Sequence, residues 1–191
     1  MQVRPVHRLD RDTSGLMLFA ITPQAELELE RMFARHAIDR RYLAIVHGTI
    51  RETMTIESHF IRDRGDGLRG SIPPNAPVPD DAQRALTHVI PIESFTSPAG
   101  DAYTIVECRL ETGRTHQIRI HLAEAGHRLC GEKTYNKPTD GKPLPDPSNC
   151  PRQALHSYRC AFDHPITLER LRFESKLPKD LKTWLDRLRE A

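Results

Sequence analysis

Long hydrophobic runs are missing from this chain. The longest, Leu16 to Ile21, has six residues, far short of the roughly 18 that a membrane-spanning helix requires, so no membrane partner is expected. Residues 1–8 carry no apolar stretch behind their charge, which argues against a secretory signal and makes the cytoplasm the expected compartment. Cysteine is scarce. Cys108, Cys130, Cys150 and Cys160 lie 22, 20 and 10 residues apart, spacings that fit neither a CxxC pair nor a zinc site, so reduced, unpaired thiols are expected. Lysine is scarcer still for a charged chain: 6 residues against 22 arginines, the first at position 133. Arginine suits phosphate forks and base stacking, although a coding bias yields the same count. A net charge of +2 announces no nucleic-acid partner, so any argument for one has to be local.

What is present is an ordinary globular pattern of one-domain length, 191 residues with 38% hydrophobic content. Leu16 to Ile21 reads as a short buried strand. Thr22-Pro23 then supplies an N-cap and a proline at the first helical position, and Ala25, Leu29, Met32 and Phe33 recur at helical spacing, predicting a helix to about residue 36. Residues 41–48 are rich in β formers and end at a glycine. Residues 62–81 alternate glycines with Pro73-Pro74 and Pro77-Val78-Pro79 and read as a long excursion. Two strands, about 85–95 and 102–111, flank the turn composition Ser97-Pro98-Ala99-Gly100-Asp101 and should pair antiparallel. Residues 115–125 place Ile118, Leu122 and Ala125 on one stripe, an amphipathic helix stopped by Gly126. A proline-rich loop over 136–151, strands near 154–162 and 168–173, and a last helix from Pro178 complete the chain. The mixed, strand-heavy order predicts an α+β domain with a largely antiparallel sheet flanked by helices and loops.

Two segments concentrate chemistry. His7-Arg8-Leu9-Asp10-Arg11-Asp12-Thr13-Ser14-Gly15 packs charged and small polar residues just ahead of the first strand. Asp12, Thr13 and Ser14 are ordinary loop stabilisers, whereas Asp10 has arginines on both sides that favour the ionised carboxylate a nucleophile or base requires. The second segment, Arg109 to His121, spreads cationic and hydrogen-bonding residues across a strand-to-helix turn. His116 and His121 are five apart rather than four and no HExxH pattern exists, so no metal is expected. Ser14 sits outside any Gly-x-Ser-x-Gly elbow, which argues against a serine hydrolase. Asp10-Arg11-Asp12 as an aspartyl phosphotransferase pair would need a continuous apolar strand before it, and Arg4-Pro5-Val6-His7-Arg8 is not one.

These segments have a precedent. His7 to Leu16, Arg41-Tyr42-Leu43-Ala44-Ile45-Val46-His47-Gly48, and Leu110 to His121 resemble, in order, the three motifs of the RluA-type RNA pseudouridine synthases; Gly126 to Tyr135, Leu155-His156 and His164-Pro165 are similar to later segments of that family. The resemblance implies isomerisation of uridine in RNA to pseudouridine, with the fold of that catalytic domain across residues 1–191. It implies that Asp10 is the catalytic carboxylate, that Tyr42 stacks on the extruded base, and that Arg119 pairs with Asp10. A guanidinium there would lower a pocket carboxylate's pKa by about 1–3 units. Arg8 corresponds to a residue that helps displace the target nucleotide; Arg114, His116 and Gln117 are expected on the RNA side, the last two chiefly shaping the turn. RNA, ribosomal or transfer, is the implied partner, no cofactor is needed, and a monomer is expected.

Only six residues precede His7, where relatives usually carry a further strand and often an RNA-binding domain of the S4 type. The expectation is therefore an N-terminally truncated catalytic domain with an exposed sheet edge. The alternative is a protein of the same fold that binds RNA without turnover.

Overall fold

The structure is a computed structural model that describes residues 2–137 and 141–190. In chain order it contains β1 (Arg4–Pro5), β2 (Ser14–Gly15), β3 (Phe19–Ala20), α1 (Pro23–Ala34), β4 (Asp39–His47), β5 (Met54–Ile61), β6 (Gly70–Ser71), β7 (Gln83–Thr96), β8 (Ala102–Leu110), α2 (Gln117–Glu124), β9 (Leu155–Asp163), β10 (Arg170–Glu174) and α3 (Lys179–Glu190). One sheet runs β10-β9-β4-β8-β7-β5-β6, antiparallel throughout, with β2 joining β9 in parallel. The α+β expectation holds. None of the described helices is long and apolar enough to cross a membrane.

β4 lies at the centre of this sheet, between β9 and β8. Its Ala44, Ile45 and Val46 are all buried, because both faces of the strand are covered. Ala44 and Val46 pack with Val89, Val106 and the α2 residues Ile118 and Leu122; Ile45 packs with Leu181, Trp184 and Leu185 of α3. A third cluster joins α1, through Leu29 and Met32, to Cys160 and Phe162 of β9. Thr22 caps α1 as its sequence requires, its hydroxyl accepting from the Ala25 amide at 3.2 Å. All four cysteines are buried free thiols, and burial pushes Cys150 up to about 12 and Cys160 to about 11, which keeps them protonated and inert.

Two local expectations are corrected, and one strand had none. Residues 16–21 do not form one buried strand: only Phe19–Ala20 pair, with β1, and Phe19 and Ile21 are 50% and 56% exposed. The run is apolar because Leu16, Leu18 and Ala20 pack beneath α1 while Phe19 and Ile21 face outward. α2 is not amphipathic. Every residue from Gln117 to Leu122 is buried, polar ones included, while Ala125 is exposed. β5 escaped the sequence reading altogether, since its alternation of Met54, Ile56 and Phe60 is broken by an inward Ser58. The proline-rich loop is tied down where it is described, with Asp146 accepting from the Gly131 amide at 2.6 Å and Trp184 Nε1 donating to the Ser148 carbonyl at 2.7 Å; its residues 138–140 lie outside the described residues.

Ser58 explains how α2 is seated. The wholly buried His121 ring sits between Thr87 Oγ1 on β7, 2.8 Å from Nδ1, and Ser58 Oγ on β5, 2.9 Å from Nε2. Ser71 of β6 extends the chain by donating to Ser58 Oγ at 2.9 Å. Burial drives the His121 pKa from 6.5 to about 4. The unfolded chain therefore binds a proton that the folded one refuses, and the stability present above about pH 6.5 is lost as the pH falls toward 4. Between about pH 7 and pH 5, His121 alone should remove roughly 2 kcal/mol. Urea unfolding at both pH values should show that much less acid sensitivity in His121→Asn than in the parent; identical sensitivity would contradict the assignment.

Candidate active site

A cavity of about 100 Å³ opens where three distant parts of the chain meet, and Arg8, Asp10, Arg40, Tyr42, Arg114 and His116 are among its walls. Arg8 and Asp10 come from the loop after β1, Arg40 and Tyr42 from β4, and Arg114 and His116 from the turn between β8 and α2. The sequence-predicted residues are thus brought together, apart from Arg119, which stands behind Asp10.

The Asp10 loop is held from outside itself. Its Asp10 carbonyl accepts from the Thr13 amide at 3.0 Å, closing a turn in which Asp12 adopts φ 69°. Gln153 Nε2 donates to the Arg11 carbonyl and to Thr13 Oγ1, at 3.1 and 2.7 Å, and Arg152 donates to the Asp12 carbonyl at 2.8 Å and to Ser14 Oγ at 3.2 Å. Ser14 Oγ also lies 3.0 Å from His156 Nδ1. Since His156 Nε2 faces the Ser175 carbonyl at 3.2 Å and must donate to it, Nδ1 accepts the Ser14 proton. Gly15 (φ 122°) lies so close to β9 that an added Cβ would sit 2.2 Å from the Ser157 carbonyl oxygen, so only glycine permits this docking. Residues 152–157 therefore fix where Asp10 can be.

Arg119 is 3.8 Å from Asp10 Oδ2, yet its principal partner is Glu132. Nε and Nη2 donate to the two Glu132 carboxylate oxygens at 2.8 and 2.6 Å, a bidentate pair with a side chain fully shielded from solvent. The expected Arg119–Asp10 contact is present, and Glu132 is a second, stronger partner of the same guanidinium. Glu132 also accepts from the Thr134 and Tyr135 amides at 2.8 and 3.2 Å. Burial pushes its carboxyl up, but the Arg119 bonds and these amides outweigh burial and hold it below the ordinary glutamate range. Tyr135 lies under the Arg119 guanidinium, 5.3 Å from centroid to Cζ, and its hydroxyl meets His116 Nδ1 at 2.9 Å.

Gln117 borders the cavity and shapes the turn, as expected of it. Its carbonyl oxygen accepts from Thr112 Oγ1 and the Arg114 amide at 2.7 and 3.0 Å, and its amide donates to Thr87 Oγ1 and the Leu86 carbonyl, both at 2.9 Å. All four bonding positions of the side chain are used, so it shapes the turn and has none left for a ligand. His116 caps α2 with φ 58° and directs its ring to Tyr135. His116 and His121 point to different partners and share no metal geometry. Tyr42 is 7% exposed, and a bulge beside it, where β9 inserts Tyr158 between the partners of Arg41 and Tyr42, turns the strand locally. Burial raises the Tyr42 hydroxyl pKa. Glu132, Arg152, Gln153 and Arg40 were not singled out from sequence. Glu132 sits in a segment already matched to a motif, but nothing in its neighbours announces that it is buried.

Asp10 is thus one carboxylate in a small cavity rimmed by arginines. The human RNA pseudouridylate synthase domain containing 1 has this fold (TM-score 0.72, 24% identity, 100% of this chain and 81% of that one), as does the human domain containing 4 (TM-score 0.77, 21%, 98% and 76%). The sequence model of the RNA pseudouridylate synthase family matches residues 1–124, and the chain belongs to that family, of the RluA type. It is 37% identical over 190 residues to ribosomal large subunit pseudouridine synthase D of Nitrosomonas europaea, covering 96% of this chain and 51% of that protein. It is 38% identical over 188 residues to the uncharacterized RNA pseudouridine synthase YlyB of Bacillus subtilis, covering 97% and 55%. The chain spans about half the length of the curated relatives it matches.

Glu132→Gln keeps the shape of the buried pair and removes its negative charge. Leaving Arg119 without its buried bidentate partner should destabilise the protein by about 3 kcal/mol, a fall in Tm of about 6–12 °C, measured by calorimetry. An unchanged Tm would show that the pair holds nothing.

Proposed function

We propose that this protein isomerises uridine to pseudouridine within structured RNA, with ribosomal RNA as the substrate. The observation that carries the reading is the Asp10 carboxylate, set in the arginine-rimmed cavity and backed by Arg119. In the reaction the N1–C1′ bond breaks, the uracil turns, C5 joins C1′, and the C5 proton leaves to solvent while N1 regains one. Nothing is oxidised or reduced, and no co-reactant is consumed. In this reading Asp10 acts on the ribose or base as nucleophile or base.

A uridine inside folded RNA has to leave its stack, which costs a few kcal/mol. Tyr42, on the cavity wall, offers a ring whose stacking is worth about 1–3 kcal/mol, and Arg8 at the rim is positioned to fill the vacated space. Arg114 is anchored through Nε to the Arg84 carbonyl at 2.9 Å, which leaves its terminal nitrogens for phosphate. Names of relatives such as ribosomal large subunit pseudouridine synthase D support the ribosomal substrate.

Tritium release from [5-³H]uridine-labelled total RNA, prepared without prior modification, tests this directly. The parent should release tritium and Asp10→Asn should fall to background, and mapping the modified position then names the RNA. Release by both proteins would remove Asp10 from the chemistry, release confined to transfer RNA would overturn the ribosomal assignment, and release by neither would overturn the activity.

A further inference from the structure

A second cavity of about 510 Å³ adjoins the first and shares Arg8, Arg40, Gly113 and Arg114 with it; Phe33 and His36 are among its other walls. Among the described residues, no carboxylate lines it. Glu111, which acts on His36 from outside, is paired with His88 at 2.7 Å. Arg40 is the unusual member. It makes no ion pair among the described residues, and its buried Nε has no acceptor. Its position is set by packing instead: the guanidinium lies over the Phe33 ring, 5.2 Å from the centroid, and against Gly113, where an added Cβ would meet Nη1 and Nη2 each at 3.0 Å. A cation fixed beside a ring and against a glycine, with no paired carboxylate among the described residues, is a preorganised donor for an anion. The field of this group is felt nearby. The His7 pKa falls to about 4 through burial and then through Arg40, and that of His36 is lowered by burial, Arg40 and Arg114.

We propose that this cavity holds the RNA phosphodiester next to the uridine presented to Asp10, with Arg40 as its fixed donor and Arg114 closing beside it. The assignment deepens the RNA-isomerising reading and rests on it. It implies that the protein fixes its substrate by a backbone contact one step from the extruded nucleotide, which fits a chain whose overall charge is nearly balanced.

The probe is a fluorescein-labelled oligouridine whose binding is followed by anisotropy between roughly 50 and 200 mM salt. Arg40→Gln should bind about tenfold more weakly than the parent at the lower salt and lose about 0.7 from the log–log salt slope, the share of one single-stranded phosphate. On the same oligomer made with uncharged methylphosphonate linkages, parent and variant should bind alike. Gly113→Ala removes no charge but crowds the Arg40 guanidinium; it should weaken binding to the charged oligomer and carries the test if Arg40→Gln does not fold. Arg170→Gln, at the far sheet edge with its side chain 58% exposed, should leave affinity and slope at parental values. Equal affinity and slope for parent, Arg40→Gln and Gly113→Ala, or an equal loss on the uncharged oligomer, would overturn the subsite while leaving the isomerase reading to its tritium assay. A parent that binds no oligouridine and releases no tritium would overturn both.

Discussion

The Arg119–Glu132 pair is the interaction on which the site depends. A buried ion pair adds little net stability, because desolvating two charges offsets their attraction, yet removing either partner strands a charge in the core. That asymmetry makes the pair a positional lock. It ties the first turn of α2 to the turn at 131–135, places Tyr135 under the guanidinium and beneath His116, and leaves the remaining guanidinium nitrogen 3.8 Å from Asp10. Because Glu132 takes the strong bidentate bonds, Arg119 supports Asp10 without capturing it.

The other half of the site is organised by residues 152–157. Gln153, Arg152 and His156 hold the Asp10 loop by its backbone and hydroxyls, and the parallel β2–β9 bridge at Gly15 fixes its distance from the sheet. The two halves meet again at Gly131 (φ 75°), where a Cβ would lie 2.2 Å from the Arg152 carbonyl oxygen. The turn carrying Glu132 and the segment carrying the Asp10 anchors are thus in backbone contact. Both contact β4 through backbone hydrogen bonds, Cys130 N–H to the Ile45 carbonyl and Ile45 N–H to the Ala154 carbonyl, at 2.9 and 3.0 Å, so the cavity is built against an interior strand of the sheet.

Much of this could be read from the sequence where local chemistry and periodicity agree. Thr22-Pro23 starts α1 as expected, the 97–101 turn joins β7 to β8, and the motifs around Asp10, Tyr42 and Arg119 converge in space. The reading failed where a polar residue serves the core. Ser58 hides β5 because it faces His121, and Gln117, Arg119 and His121 make α2 look amphipathic when its first six residues are all buried. It failed also for partners that act from far along the chain. No local pattern says that Gln153 braces residue 13, that Glu132 rather than Asp10 takes the strong bonds of Arg119, or that Arg40 has no counter-ion among the described residues.

The most direct measurement is a double-mutant cycle on Arg119→Met and Glu132→Leu, read in both Tm and tritium release. If Glu132 acts through Arg119, each single variant loses stability, the double variant recovers most of it because no charge is left stranded, and activity stays low in all three. A double variant as unstable as the sum of the singles, or one that regains activity, would contradict the view that this buried pair positions the support for Asp10.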